Sequence, residues 1–212
     1  MIEIIAGVEI PDSDLAARAT ELVRDVSPAL LYHHSRRVYL FAMLHGQRRG
    51  LQPDPELLYV GAMFHDLGLT DRYRSTDQRF EVDGANAARA FLSDYGVAEK
   101  FQRRVWNAIA LHTTPGIPEH MEPVVALVTA GVETDVLGIG YDDLDQASIR
   151  AVVAVHPRPN FKAQILETFT HGLRDRPDTT FGTVNADVLA HFSPGFVRTD
   201  FVDVIQQSAW PE

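Results

Sequence analysis

One stretch puts ionisable groups where an apolar core should be. Leu57-Leu58-Tyr59-Val60-Gly61-Ala62-Met63-Phe64 is an apolar run, and His65-Asp66 closes it, followed by Leu67-Gly68. Leu57, Leu58, Gly61, Phe64 and His65 recur at helical spacing, which predicts a buried helix, and Gly68 predicts its stop. A buried carboxylate without a partner loses hydration that an apolar interior cannot replace. A cation shared by His65 and Asp66 removes that cost, and imidazole with carboxylate is a donor set suited to Zn²⁺, Fe²⁺ or Mn²⁺. Taken alone, the dipeptide reads more simply as a helix-end histidine capped by its neighbour. The rest of the chain has to decide.

Taken in order, the chain reads as a succession of helices. Pro11-Asp12-Ser13-Asp14 starts a helix predicted from Ser13 to about Val26, with Leu15, Ala19, Leu22, Val23 and Val26 on one face. Ser27-Pro28 predicts the next start, with serine as N-cap and proline in the first turn. Leu31, His34, Val38, Phe41, Ala42 and His45 then share the inward stripe, while His33 lies on another face with Arg37. Residues 69–81 form a polar loop, long enough to suggest a lid or binding loop. Asp83-Gly84 leads into a helix bearing Ala85, Ala88, Phe91 and Leu92. Val105, Ile109 and His112 mark another, ended by Thr113-Thr114-Pro115-Gly116. After Pro123, Val124, Val125, Val128, Val132 and Asp135 stay in register. Asp142-Asp143-Leu144 opens a helix to about Val155, and His156-Pro157-Arg158-Pro159 makes a rigid turn. A longer amphipathic helix then carries Phe161, Ile165, Leu166, Phe169 and Leu173. No alternation demands a sheet. The expected fold is all-α, a helical bundle.

His34, His65-Asp66, His112 and Asp135 thus project imidazole or carboxylate groups from four helices towards an apolar interior. One cation would neutralise both carboxylates, so a metal centre is the economical reading. There are no cysteines among the 212 residues, so the ligands must be His, Asp, Glu or water. The net charge of -10 argues against nucleic-acid and anionic-membrane partners. The N-terminus lacks a signal-peptide pattern and no apolar run approaches a membrane span, so a cytoplasmic protein is expected. A single domain over residues 1–212 is expected, with the metal-site core at about 28–140 and helices of 141–212 packed on it. A homodimer is the default for such a size.

The ordered set His34, His65-Asp66, Asp135 resembles the HD-domain superfamily of metal-dependent enzymes. Flanking segments resemble its cyanamide hydratase-like branch: Ile10-Pro11-Asp12-Ser13, His34-Ser35-Arg36-Arg37-Val38-Tyr39, Phe64-His65-Asp66-Leu67-Gly68, Phe80-Glu81-Val82-Asp83-Gly84-Ala85, Ile109-Ala110-Leu111-His112-Thr113 and Pro157-Arg158-Pro159-Asn160-Phe161-Lys162. The resemblance implies one divalent ion per chain held by His34, His65, Asp66 and Asp135. Zinc is the expected ion, with iron, manganese, nickel or cobalt as alternatives. It also implies His112 beside the site. The additional histidine of dinuclear HD oxygenases is missing between Asp66 and His112. Leu69 replaces the acidic residue of the nucleotidase-like members.

The activity this implies is addition of metal-activated water to a small substrate, a cyanamide-like nitrile first. His112 is the candidate proton donor, with Asp66 and Glu81 as further candidate catalytic residues. Glu81, Asp83 and Arg37 are candidates to orient the ligands. The alternative is a phosphohydrolase acting on a nucleotide or phosphate ester, served by Arg36, Arg37, Arg72, Arg74, Arg158 or Lys162. The simpler reading of those cations is solvated surface charge. A third possibility is a regulatory HD module without activity.

Overall fold

The apolar run is the hub around which the other helices pack. In the computed structural model, which describes residues 2–210, it forms helix α3 (Pro55–Phe64), in which every residue from Leu57 to Phe64 is buried. The ends of the expected 1–212 domain, Met1, Pro211 and Glu212, lie outside the described residues. Asp54 caps α3 by accepting from the backbone N–H groups of Glu56 and Leu57, with Pro55 in the first turn. Around it pack α1 (Asp14–Val26), α2 (Ala29–Arg49), α4 (Phe80–Asp94), α5 (Glu99–Leu111) and α6 (Pro123–Val132). A helix that is apolar all round is a core helix, and what lies just past its end is delivered into the interior.

Four further helices, α7 (Gln146–Val155), α8 (Phe161–Leu173), α9 (Asn185–Phe192) and α10 (Phe201–Gln206), complete an all-α architecture. The exception is an antiparallel hairpin of β1 (Ile4–Ile5) and β2 (Val8–Glu9), which the sequence reading did not anticipate. Tyr39 donates to the Glu9 carbonyl and Arg36 to the Glu3 carboxylate, tying the hairpin to α2. No helix among the described residues is long and apolar enough to cross a membrane.

Several boundaries differ from expectation. Ser27 does not cap α2: Pro28 holds the N-cap position and the Ser27 hydroxyl has no partner. The ring of Pro28 fixes its φ, its backbone is extended, and the helix starts without a side-chain cap. α4 begins at Phe80, before Asp83-Gly84, and α7 begins at Gln146 with Asp145 as its cap. Gly68 is no left-handed stop; α3 ends at Phe64 and a 3₁₀ turn follows over Leu67–Leu69. A Cβ at Gly68 would run into the Phe80 carbonyl oxygen, so glycine is required for α4 to seat directly on this turn. Gly131 serves the same purpose between α6 and the backbone of Val38 in α2.

Candidate metal centre

Three helix positions bring imidazoles to one carboxylate. His65 is the C-cap of α3 and His112 the C-cap of α5, both still in the right-handed helical conformation. Each uses the same device: its Nδ1–H donates back to a carbonyl three residues earlier, Ala62 for His65 and Ile109 for His112, both at 2.7 Å. His34, on α2, directs Nδ1 to the Asp135 carboxylate at 2.6 Å. With the ring protons committed to these acceptors, the three Nε2 atoms carry lone pairs. They lie near Asp66: His65 Nε2 at 3.3 Å and His34 Nε2 at 3.5 Å from Oδ2, and His112 Nε2 at 3.6 Å from Oδ1. His34 and His65 Nε2 are 3.1 Å apart.

Both Asp66 oxygens are buried and neither accepts a hydrogen bond. Burial pushes the Asp66 carboxyl up, and it is held well below the ordinary value by positive charge facing it, from protonated His65, His112 and His34 or from a cation standing in place of those protons. An ionised carboxylate without a donor, opposed by imidazole lone pairs, is an unfavourable arrangement until a cation stands among them. His34, His65 and Asp66 each offer a donor atom within 4.8 Å of the others, all buried, and this group can hold a metal ion. The imidazole and carboxylate chemistry fits a divalent metal.

The expected fourth ligand, Asp135, takes a different place. α6 runs into a π-helical turn, Glu133–Leu137, a local widening often found at functional sites. It sets the Asp135 carboxylate behind His34, away from Asp66's group. There Arg37 meets it with two parallel bonds of 2.8 Å, from Nε to Oδ1 and from Nη2 to Oδ2, and Arg158 Nε lies 3.1 Å from Oδ1. His34 Nδ1 and the two Arg37 donors bond the carboxylate, while Arg158 adds charge beside it and donates from Nη2 to the Asp135 carbonyl. Burial raises the Asp135 carboxyl, but His34 and Arg37 bring it far below the usual carboxylate range. Arg37 was expected on an outward face with His33. It is wholly buried instead, because α2 is covered on nearly every side along its first half.

A family profile described as HD domain matches residues 31–152, a stretch holding His34, His65-Asp66, His112 and Asp135. The chain belongs to the HD-domain family. A comparison with curated proteins gives no match. Membership of that family implies metal-dependent hydrolase or phosphohydrolase chemistry, which agrees with the divalent-metal donor set of the site.

Glu81, the other acidic candidate, lies in the first turn of α4 and is fully buried. Its carboxylate accepts from Arg79 at 2.8 Å, from Asn185 Nδ2 at 3.0 Å and from the Thr113 hydroxyl. Burial raises its carboxyl, and Arg79, His112 and Thr113 lower it further than burial lifts it. The structure therefore does not bring Glu81 into the group around Asp66; it joins α4 to the end of α5 and to α9. Asp83 pairs with Arg176, which also donates to the Gly68 carbonyl at 2.6 Å and so clamps the turn after the HD pair. The sequence reading missed both Asn185 and Arg176. Nothing in their local context signals these long-range contacts.

Above the HD pair lies a cavity of about 250 Å³. His34, Asp66 and His112 form its floor. Val132, Val136 and Leu137 line it from α6 and the π turn, Ile165, Leu166 and Phe169 from α8, and Val184 and Val188 from the start of α9 and just within it. Thr113, Pro115, Glu133 and Asn185 complete the lining, so among the described residues it contains neither Lys nor Arg. Arg36, Arg37 and Arg158 are engaged elsewhere: Arg36 with Tyr59 and Glu3, the others with Asp135. The expectation of solvated charge is corrected for Arg36 and Arg37, which are buried. A larger open cleft, about 600 Å³, is lined by Asp25, Asp71, Arg72 and Glu167 among others and contains none of the site residues.

Proposed function

We propose that the protein hydrates a small, uncharged, polarised substrate of the nitrile type, with cyanamide to urea as the first reaction to test. The observation that carries the metal chemistry is Asp66, with both oxygens buried and without donors beneath three imidazoles. The choice of nitrile over phosphate is supported by a chamber lined without a cation, since recognition of a phosphate uses Arg or Lys.

His34, His65 and Asp66 would hold the ion, zinc first among divalent candidates. Asp135 acts through His34, fixing the tautomer that leaves Nε2 free, the usual carboxylate partner of a ligating histidine. A divalent ion held there supplies the Lewis acidity that makes water nucleophilic near neutral pH. His112 lines the chamber with Nε2, its Nδ1 being fixed on Ile109. As the water oxygen bonds to the nitrile carbon and one C–N π bond opens, the Nε2 lone pair of His112 takes a proton from the water and passes it on to the nitrogen, which restores the neutral ring. Tautomerisation of the adduct gives the amide. Glu81 positions this end of α5 through Thr113.

The test is elemental analysis of purified protein alongside a His65→Ala, Asp66→Ala double variant, with turnover of cyanamide, simple nitriles and nucleoside monophosphates. About one ion per chain, lost in the double variant, and amide or urea formation are expected. Turnover of the monophosphates with none of the nitriles would replace this reading by the phosphohydrolase one.

A further inference from the structure

Resting on the hydration reading above, we infer that the substrate is more apolar than cyanamide: an uncharged molecule whose polar head reaches Asp66 and His112 and whose compact hydrocarbon body, up to one aromatic ring, fills the chamber. An apolar cavity of about 150 Å³ accommodates benzene. The present chamber, at about 250 Å³, has room for a ring and a cyano group together. Cyanamide has three heavy atoms and would leave most of the aliphatic wall facing water, forgoing the free energy that burying apolar surface provides.

The polar groups of the lining do not offer recognition to a polar body. The Thr113 hydroxyl and the Asn185 amide both donate to Glu81. The remaining charged side chain away from the floor, Glu133, is a carboxylate, pushed up by burial and then by Glu119. Away from the ion at the floor, a phosphate or carboxylate on the substrate would meet Glu133 and no cationic side chain. The mouth is apolar as well: Leu137, Val184 and Leu166 remain 65%, 46% and 37% exposed. Such a rim admits an uncharged ligand without desolvating a counter-ion.

The walls also divide along the chain. Leu166, Phe169 and Val188 belong to α8 and α9, beyond the family-matched residues 31–152. The HD segment supplies the floor and the later helices select what rests on it. Leu166 and Val188 are specificity-determining positions on this argument.

The test measures equilibrium binding of benzonitrile, cyanamide and AMP to the full chain, using His112→Gln, which leaves the three metal ligands in place, to suppress turnover, then Leu166→Asp and Val188→Trp in that background. Benzonitrile is expected to bind at least about tenfold more tightly than cyanamide or AMP. Each wall variant should weaken benzonitrile about tenfold while changing cyanamide less than about twofold. Leu166 is at the surface, so its variant keeps the test intact if Val188→Trp does not fold. Tighter binding of cyanamide or AMP, or benzonitrile binding indifferent to both wall variants, overturns the inference. The two readings fail separately. Metal-free wild type with intact benzonitrile binding sinks the hydration chemistry alone, whereas a metal-loaded, cyanamide-hydrating enzyme that ignores benzonitrile sinks the inference alone.

Discussion

Replacing Arg37 by Met should destabilise the protein out of proportion to the volume exchanged. Arg37 is fully buried, with its guanidinium on both oxygens of Asp135 and Nη1 donating to the carbonyls of His156 at 3.1 Å and Pro157 at 2.9 Å. Methionine roughly fills the space but leaves a buried carboxylate short of its main counter-ion and two carbonyls without this donor. Breaking a buried ion pair from one side costs about 3–5 kcal/mol. For a chain of this length each kcal/mol moves the melting temperature by roughly 2–4 °C, so a fall of about 6–20 °C is expected. The assay is thermal and urea unfolding in chelator, so that metal linkage does not contribute. The double variant Arg37→Met, Asp135→Leu removes the stranded charge and should be less destabilised than the sum of the single losses by at least about 1 kcal/mol. A loss below about 2 °C, or strict additivity in the cycle, would refute the claim that Asp135 depends on Arg37.

Asp135→Asn should leave the metal in place but weaken it about 10–100-fold, read by competition with a chelator; complete loss of the ion would make Asp135 a direct ligand. Glu81→Gln keeps the contact to Thr113 but not the charge facing Arg79, so turnover should fall with metal content unchanged; coincident loss of metal would place Glu81 at the ion. His156 has its pKa lowered from 6.5 to about 3, by burial first and then by Arg36, His33 and Arg37. Because the unfolded state then binds the extra proton, the stability tied to a neutral His156 is complete above about pH 6.5 and drains away as pH falls towards 3. His156→Gln should flatten melting temperature between pH 7 and 5 relative to wild type; a parallel acid limb would contradict it.

The floor of the site was legible because its signal is local. His65-Asp66 ends an apolar run, His34 shares a stripe with Leu31 and Val38, and His112 follows Ile109 by three residues, so periodicity alone turns each towards the interior. What periodicity does not encode is which atom a side chain presents. Asp135 was in register, yet whether its carboxylate faces a metal or the back of His34 depends on a π turn and on two arginines from distant segments. Arg36 and Arg37 were misplaced because a face has meaning only for a helix with one side in water, and this part of α2 has none. The hairpin was invisible at two residues per strand, too short for an alternation to register.

The division between legible and illegible residues coincides with a division of labour in the fold. Groups that must sit in a core without hydration are forced into the pattern of the helix that buries them, so they can be read from spacing. The α8 and α9 lining of the chamber obeys a weaker constraint. Ile165, Leu166 and Phe169 satisfy an amphipathic helix, and Val184 and Val188 the start of α9, whether or not anything binds between them. As sequence they are ordinary apolar positions; only the placement of α8 and α9 beside the π turn turns them into the lining of the chamber. Substitutions there can preserve helix, packing and metal while changing what is bound, and for that reason substrate preference in this chain is expected to vary at Leu166 and Val188 before it varies at the HD pair.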